Sequence, residues 1–492
     1  MAEVYKNFIN GQWVESSGGE RYTVVNPANT ADVVGEFQRS TAADARRAIA
    51  AAQAAYKPWA AVPAPARGRI LLKACQLIAE RKEDLARTLC REEGKIYREA
   101  LGEILKGLAL MEFYAGEGFR LEGKTLPSEM PSTFVYTVRQ PLGVVSLICP
   151  WNFPWAIPVW KAAPALVAGN TIVLKPSDFT PLTAVKLTQI FDEAGVPKGV
   201  FNFLTGPGPV GEEMVRNPLV KAVSFTGSNA VGEAINRMAA ERGIKVCCEM
   251  GGKNAAVVMD DANLDLAVAG VFTGAFGSTG QRCTATSRLI LTRGVKERFM
   301  SRFLEKARQI QIGDGMDPAT AMGPIVNEPQ MKRVLLYIEK GKAEGARLLT
   351  GGGRARGGKL DGGWFVEPTV FDDVTPSMTI WREEIFGPVL AVTTAQSLED
   401  ALRLANDSAF GLTSAIYTEN VSDAMKFVEG IECGMTHVNN PTIGGEAQLP
   451  FGGVKATGIG DREMAQEGLN FFTELKTVFI DFTGKPQTGN LR

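Results

Sequence analysis

Apolar positions along the chain follow two rhythms. Ala42 to Ala55 and Arg67 to Leu89 carry apolar residues at three- and four-residue spacing with charges on the other face, the period of packing helices. From Gly143 the rhythm shortens. Val144 to Ile148, Thr171 to Leu174, Val200 to Phe203 and Ala222 to Phe225 are short β-branched or aromatic runs, each followed by turn residues and then helical sequence. A second series, Asn254 to Met259, Ser287 to Leu291 and Val389 to Val392, comes after the glycine pair Gly251-Gly252. Strands alternating with helices predict parallel sheets, so an α/β chain with a second α/β lobe is expected.

Two strand-like runs stand apart, Thr133 to Val138 and Leu475 to Phe482. They are expected to pair as edge strands, and covering such edges with another subunit makes a homo-oligomer. Gly351 to Gly363, with Arg354, Arg356 and Lys359, reads as a solvated hairpin or connector. The most apolar stretch, Val144 to Trp160, contains Asn152, Pro150, Pro154 and Pro158, which break a membrane-spanning helix.

Composition narrows the function classes. With 492 residues and 45% hydrophobic content, the chain can bury two or three domains. Its 53 basic and 54 acidic residues leave no strongly charged surface for nucleic acid or anionic lipid, so a small molecule is the expected partner. The 7 cysteines lack metal-ligand spacing and His437 is the only histidine, which predicts free thiols and no metal site. Met1 to Glu15 lacks the continuous apolar core of a secretory signal, so a cytoplasmic location is expected.

Candidate chemistry gathers around Cys283, which lies in the small polar segment Gly280 to Ile290, downstream of Glu249-Met250-Gly251-Gly252-Lys253. A thiolate is the reactive form, and nearby N–H groups and Arg282 can supply the electropositive niche it needs. Two loops can hold phosphate. Gly206-Pro207-Gly208-Pro209-Val210-Gly211 has dinucleotide-binding spacing, but its prolines remove N–H groups and stiffen the turn. Ala222 to Ser228 is the cleaner strand running into a helix, with Ser228 as a donor. Lys175, at a strand end, suits ribose hydroxyls or phosphate, or simply solvent.

Taken in order, Pro150-Trp151-Asn152-Phe153-Pro154, Lys175-Pro176-Ser177, Phe225-Thr226-Gly227-Ser228, Glu249 to Lys253, Gly280 to Cys283, Glu384-Ile385-Phe386-Gly387-Pro388 and Pro450-Phe451-Gly452-Gly453 resemble the aldehyde dehydrogenase superfamily over nearly the whole chain. That resemblance implies two Rossmann-like open sheets plus a small β element for oligomerisation. It places a cofactor domain at 1–124 and 145–250, with 447–470 returning to it. A catalytic domain follows at 251–446, with bridging strands at 125–144 and 471–492 in a homodimer or homotetramer.

The same resemblance assigns roles. Cys283 attacks an aldehyde, the side chain of Asn152 and the cysteine N–H hold the oxyanion, and Glu249 activates the water that hydrolyses the thioester. Lys161 and Glu474 match proton-relay positions. NAD or NADP is expected on Lys175, Ser177, Gly208, Thr226, Gly227, Ser228, Glu384 and Phe386, with Asp178 favouring NAD by repelling a 2′-phosphate.

Phe113 to Gly118, Glu249 to Asn254 and Ser278 to Arg288 are most similar to the α-ketoglutaric semialdehyde (2,5-dioxopentanoate) dehydrogenases of the superfamily. Such a substrate carries a distal carboxylate, for which Arg120 and Arg282 are the candidate guanidinium partners. A broad-specificity or succinate semialdehyde enzyme is the nearest alternative. Transfer to coenzyme A is disfavoured by Glu249, and a non-catalytic binding protein by the intact Cys283, Asn152 and Glu249.

Overall fold

Burial on both faces explains why the strands are apolar without interruption. In the computed structural model, which describes residues 2–485, Val145 and Leu147 enter one core while Val144 enters the opposite one. Ala255 and Val257 are likewise separated from Ala256 and Val258. Side chains alternate across a strand, so a run buried on both sides has no polar face to show.

The first sheet runs Gln12–Val14, Asn7–Ile9, Phe201–Phe203, Thr171–Lys175, Val144–Ile148, Val220–Thr226, Lys245–Glu249, Gly458–Ile459. Neighbours are parallel from Phe201–Phe203 through Lys245–Glu249 and antiparallel at the flanks. The chain order reverses between Val144–Ile148 and Val220–Thr226, and open α/β sheets bind ligands at such a switch. The second sheet runs Arg347–Thr350, Thr369–Asp372, Val389–Ala395, Thr286–Thr292, Asn254–Val258, Thr413–Tyr417, Met435–Val438. Only its first pair is antiparallel.

The two outlying runs form the strands Thr133–Pro141 and Thr473–Asp481, paired antiparallel from Thr133 opposite Asp481 to Pro141 opposite Thr473. Thr125–Leu126 completes this sheet, and Phe134, Leu475 and Phe479 stand exposed on it. Of the stretch 471–492 expected to bridge subunits, 486–492 lie outside the described residues. No helix among the described residues is long and apolar enough to cross a membrane.

The expected helices run longer than the apolar pattern indicates, as Ala42–Ala60 and Ala64–Glu93. Pro65 sits in the first turn of the latter, where a missing N–H costs nothing, and Gly94 ends it with φ 97°. Its last turn is charged yet buried, because Glu92 accepts the N–H groups of Leu182 and Thr183 and the Thr183 hydroxyl at 2.6 Å.

One buried ion pair fixes the loop after Val144–Ile148. Lys95 and Glu103 are fully enclosed, and Lys95 Nζ donates to Glu103 Oε2 at 2.6 Å and to the main-chain oxygen of Asn152 at 2.8 Å. Glu103 Oε1 accepts the N–H groups of Trp155 at 2.9 Å and Ala156 at 3.1 Å, capping the helix Ala156–Ala168. Lys95 also lies 4.2 Å over the ring of Phe153. Burial pulls the Lys95 ammonium down, but Glu103 and Glu93 outweigh it and hold the group above its ordinary range.

Removing one partner of such a pair strands the other. Lys95→Met is expected to destabilise the protein by about 3–5 kcal/mol, since it leaves an uncompensated buried carboxylate. Adding Glu103→Gln should restore most of that loss, because an amide oxygen still accepts the two N–H groups. Denaturant titration of both variants checks this, and a single variant as stable as the native protein contradicts the account.

Candidate active site

The loops at the switch and the start of the second sheet meet in a cavity of about 170 Å³. Pro150 to Asn152 leave Val144–Ile148, and Gly227 and Ser228 leave Val220–Thr226 to begin the helix Asn229–Arg242. Cys283 reaches the cavity from the other lobe, together with Glu384 and Phe386. A larger hollow of about 830 Å³ beside Asp314 and Lys359 contains none of the expected residues.

The turn before Cys283 is made by three successive left-handed residues, Ser278, Thr279 and Gly280, with φ 48°, 57° and 68°. A Cβ on Gly280 would overlap the main-chain oxygen of Gly387. Asn254 fixes the other side, its Nδ2 donating to the carbonyls of Cys283 at 2.7 Å and Ala285 at 2.8 Å. Gly252 packs so closely on the Cys283 carbonyl that a Cβ there would overlap it. Asn152 donates from Nδ2 to the carbonyl of Gln281 at 3.0 Å, which aims its amide along this turn.

Cys283 is partly exposed where it opens onto the cavity. Burial pushes its thiol up to about 12; Glu384 and Glu249 add to this, and Lys106 and the Thr284 N–H oppose it. Glu249 ends the strand Lys245–Glu249 and is buried, with Oε2 lacking a partner among the described residues. Burial, then the charge of Glu463, raise its carboxyl well above the usual range, against Lys161 and Arg462. Its side chain rests against Gly452, where a Cβ would overlap it.

Lys161 and Glu474 are not brought together. Glu474 stands exposed on the outlying strand and pairs with Lys245 at 2.9 Å. The acid on Lys161 is Glu463, which also accepts from Ser224 Oγ and Trp160 Nε1, both at 2.8 Å. Sequence reasoning missed Glu463 because it sits among the charged residues Asp461 and Arg462 and reads as part of a solvated turn. Its bridge to Phe451 ties it to the Pro450 to Gly453 motif, the one clue available.

The cofactor candidates fall into two groups. Thr226, Gly227, Ser228, Glu384 and Phe386 line the cavity. Ser228 precedes the helix Asn229–Arg242 without a side-chain cap, and the buried Oγ1 of Thr226 has no partner among the described residues. Glu384 accepts the Gly252 N–H at 2.9 Å, and burial raises its carboxyl to about 7. Phe386 holds a left-handed φ of 61° with its ring edge-on to Trp151 at 5.2 Å.

Lys175, Ser177 and Asp178 cluster at the neighbouring strand end. Asp178 accepts the Gly206 N–H at 3.1 Å and lies 3.6 Å from Lys175 Nζ, while Ser177 Oγ accepts the Phe179 N–H at 3.3 Å. Gly208 opens the helix Gly208–Arg216 and is outside the cavity lining. An uncapped helix start, an unpartnered hydroxyl and carboxylates along one cleft fit the phosphates and ribose hydroxyls of a dinucleotide.

Neither arginine expected to meet a substrate carboxylate lines this cavity. Arg120 lies beyond the end of the helix Tyr97–Glu117, largely exposed and paired with Glu117 at 2.6 Å. Arg282 pairs with Glu99 at 3.2 Å and Ser278 Oγ at 2.9 Å, over the ring of Phe153. Adjacent residues on this tight turn face different ways, so the guanidinium beside Cys283 is spent on anchoring the turn.

The profile of the aldehyde dehydrogenase family matches residues 13–478. An alpha-ketoglutaric semialdehyde dehydrogenase of Bacillus subtilis is 47% identical over 477 residues, 97% of this chain and 98% of that protein. A 2,5-dioxopentanoate dehydrogenase of Saccharolobus solfataricus is 43% identical over 95% of this chain and 98% of its own length. Among solved structures, a betaine aldehyde dehydrogenase from Staphylococcus aureus in complex with NAD+ superimposes with a TM-score of 0.96 at 34% identity, covering 99% of this chain and 96% of that one.

A thiol held far above neutrality is a small thiolate fraction that grows with pH. Alkylation of Cys283 by iodoacetamide in the cofactor-free protein should therefore accelerate about tenfold per pH unit between about pH 6 and 9. A rate that levels off inside that window contradicts the burial argument. Peptide mapping separates Cys283 from the other thiols.

Proposed function

The chain belongs to the aldehyde dehydrogenase family and is an oxidoreductase acting on aldehydes, and we propose that its substrate is α-ketoglutaric semialdehyde, oxidised to the dicarboxylic acid with NAD in preference to NADP. The observation that supports this reading most is the near full-length match, at 43–47% identity, to relatives named for that aldehyde. Cys283, Asn152 and the dinucleotide-shaped cleft sit together at the sheet switch, as such chemistry requires.

In the proposed cycle the Cys283 thiolate adds to the aldehyde carbon, and the oxygen that becomes negative is received by Asn152 Nδ2 and the Cys283 N–H. A bound nicotinamide supplies the hydride acceptor. Loss of hydride from the tetrahedral centre leaves a thioester on Cys283. Glu249 takes a proton from the water that attacks this thioester, releasing the acid and restoring the sulfur. A raised pKa makes Glu249 the stronger base once it is ionised. Lys161 and Glu463 continue the polar chain behind it.

Asp178 supports the preference for NAD. Held by the Gly206 N–H and close to Lys175, its carboxylate stays beside the ribose-binding lysine and disfavours a 2′-phosphate. Thr226 to Ser228, Lys175, Glu384 and Phe386 are assigned to cofactor binding. Residues 1–124, 145–250 and 447–470 are assigned to the cofactor unit, and 251–446 to the catalytic unit. The exposed apolar side chains of Thr133–Pro141 and Thr473–Asp481 support association of copies through that sheet, whose segments 125–144 and 471–492 are assigned to bridging.

Two measurements test this reading. Across acid semialdehydes of four and five carbons, betaine aldehyde, benzaldehyde and alkanals, kcat/KM should be highest for the five-carbon keto acid semialdehyde; a flat profile removes the substrate assignment. Glu249→Gln should keep a single-turnover burst of reduced cofactor while steady turnover falls roughly 10²- to 10⁴-fold, the usual contribution of a general base. Loss of the burst itself would move Glu249 out of the hydrolytic step.

A further inference from the structure

The helix Tyr97–Glu117 turns three charged side chains toward the turn that carries Cys283, and two of them are neutralised. Glu99 takes Arg282 and the Ser278 N–H at 2.8 Å. Glu103 takes Lys95 on one oxygen and the N–H groups of Trp155 and Ala156 on the other. The third, Lys106, makes no hydrogen bond or ion pair among the described residues. Its partly buried ammonium lies 5.6 Å over the ring of Trp160, and a Cβ added to Gly445 would stand 3.7 Å from Nζ.

A sheltered cation without a counter-ion is costly unless something transient completes it. Burial pushes the Lys106 ammonium down, while the field of Cys283 pulls it back up. Lys106 is also the cation that acts most strongly on the Cys283 sulfur. It does so from outside the cofactor cavity, whose lining does not include it. Trp160 is held in place by its Nε1 donating to Glu463 at 2.8 Å and by packing on Phe451, so the aromatic surface beneath the ammonium is rigid.

Arg333 lines the cavity without an acidic partner, but it is held by the main-chain oxygen of Glu384 at 3.1 Å and lies over the ring of Tyr337. Arg282 and Arg120 are paired with Glu99 and Glu117, and Lys95 with Glu103. Lys253 lacks a hydrogen-bond partner, yet it is wholly buried beside a separate small hollow near Arg288. We propose that Lys106 binds the distal carboxylate of an ω-oxo acid substrate while its aldehyde carbon meets Cys283, the role first sought among the arginines. This rests on the acid semialdehyde reading of the site. An ammonium is a point charge that tolerates more than one carboxylate orientation, so acids of four and five carbons both suit it.

The test compares native protein, Lys106→Gln and Lys106→Arg on α-ketoglutaric and succinic semialdehydes and on butanal and pentanal. For the glutamine variant, kcat/KM for the acids should fall roughly 10- to 100-fold, mostly through KM, because a charge-assisted bond is lost. Any loss through the field on Cys283 is shared by the alkanals, which make no such bond, so the ratio of kcat/KM for acids to that for alkanals should fall roughly tenfold or more. Arginine should retain most of the preference for acids. Glutarate, which has the carboxylates but no reacting carbon, should slow alkylation of native Cys283 and not of the glutamine variant.

If native protein prefers the acids and Lys106→Gln lowers acids and alkanals alike, the assignment of Lys106 is overturned and the substrate reading stands. If native protein treats acids and alkanals alike, the substrate reading fails first and this inference with it.

Discussion

A lysine shut away from water holds the site together. Lys95 joins Glu103, the carbonyl of Asn152 and the face of Phe153, while Glu103 grips the first N–H groups of the helix Ala156–Ala168. The loop between the first central strand and its helix would otherwise be an irregular segment with prolines at 150 and 154. The ion pair gives it one conformation, and with it one direction for the Asn152 amide. Gly107 belongs to the same device, because a Cβ there would overlap the Trp155 indole. Replacing the pair with apolar residues of like volume could serve stability equally well, so its retention is better understood through placement of the loop.

Hydrogen bonds carry the first sheet's pairing up to the segment where the chain leaves it for the second sheet. Gly227 donates to the Glu249 carbonyl at 3.0 Å and Met250 to the Thr457 carbonyl at 2.8 Å, while Glu384 accepts from Gly252. The first two continue the pairing of Lys245–Glu249 with Val220–Thr226 and with Gly458–Ile459, and the third fixes the segment that runs on to Asn254–Val258. Backbone can approach backbone this closely only where side chains are absent, which accounts for glycine at 252 against the Cys283 carbonyl and at 280 against that of Gly387, whereas at 251 a Cβ would meet the Glu384 carboxylate. The left-handed Ser278, Thr279 and Phe386 cluster in the same place, and such conformations persist where the surroundings over-determine them.

What could be read in the sequence follows from these physics. The strands were legible because burial on both faces leaves uninterrupted β-branched runs, and Cys283 because glycine and small polar residues around a thiol are unusual in a core. Charged residues were the blind spot. Glu92, Glu93, Lys95 and Glu103 look in one dimension like the solvated side of helices, yet all are buried. Glu474 was assigned through family resemblance, and nothing in one dimension indicates that it pairs with Lys245 while Glu463 pairs with Lys161. Arg282 drew attention by adjacency to Cys283, whereas Lys106, far off in sequence, makes no hydrogen bond or ion pair among the described residues and lies over Trp160. Adjacency along a chain says little about direction on a tight turn.

Electrostatics within the site also order the steps of the proposed cycle. Glu249 raises the Cys283 thiol, and by reciprocity a thiolate at Cys283 disfavours ionisation of Glu249. Nucleophile and base therefore resist being charged at the same moment. Once the sulfur is bonded to carbon it no longer carries the competing charge, and the burden on Glu249 falls just when a base is needed for water. Glu249 is raised by burial first and by Glu463 next, against Lys161 and Arg462, so the effect of a thiolate adds to a carboxyl that its surroundings already hold protonated.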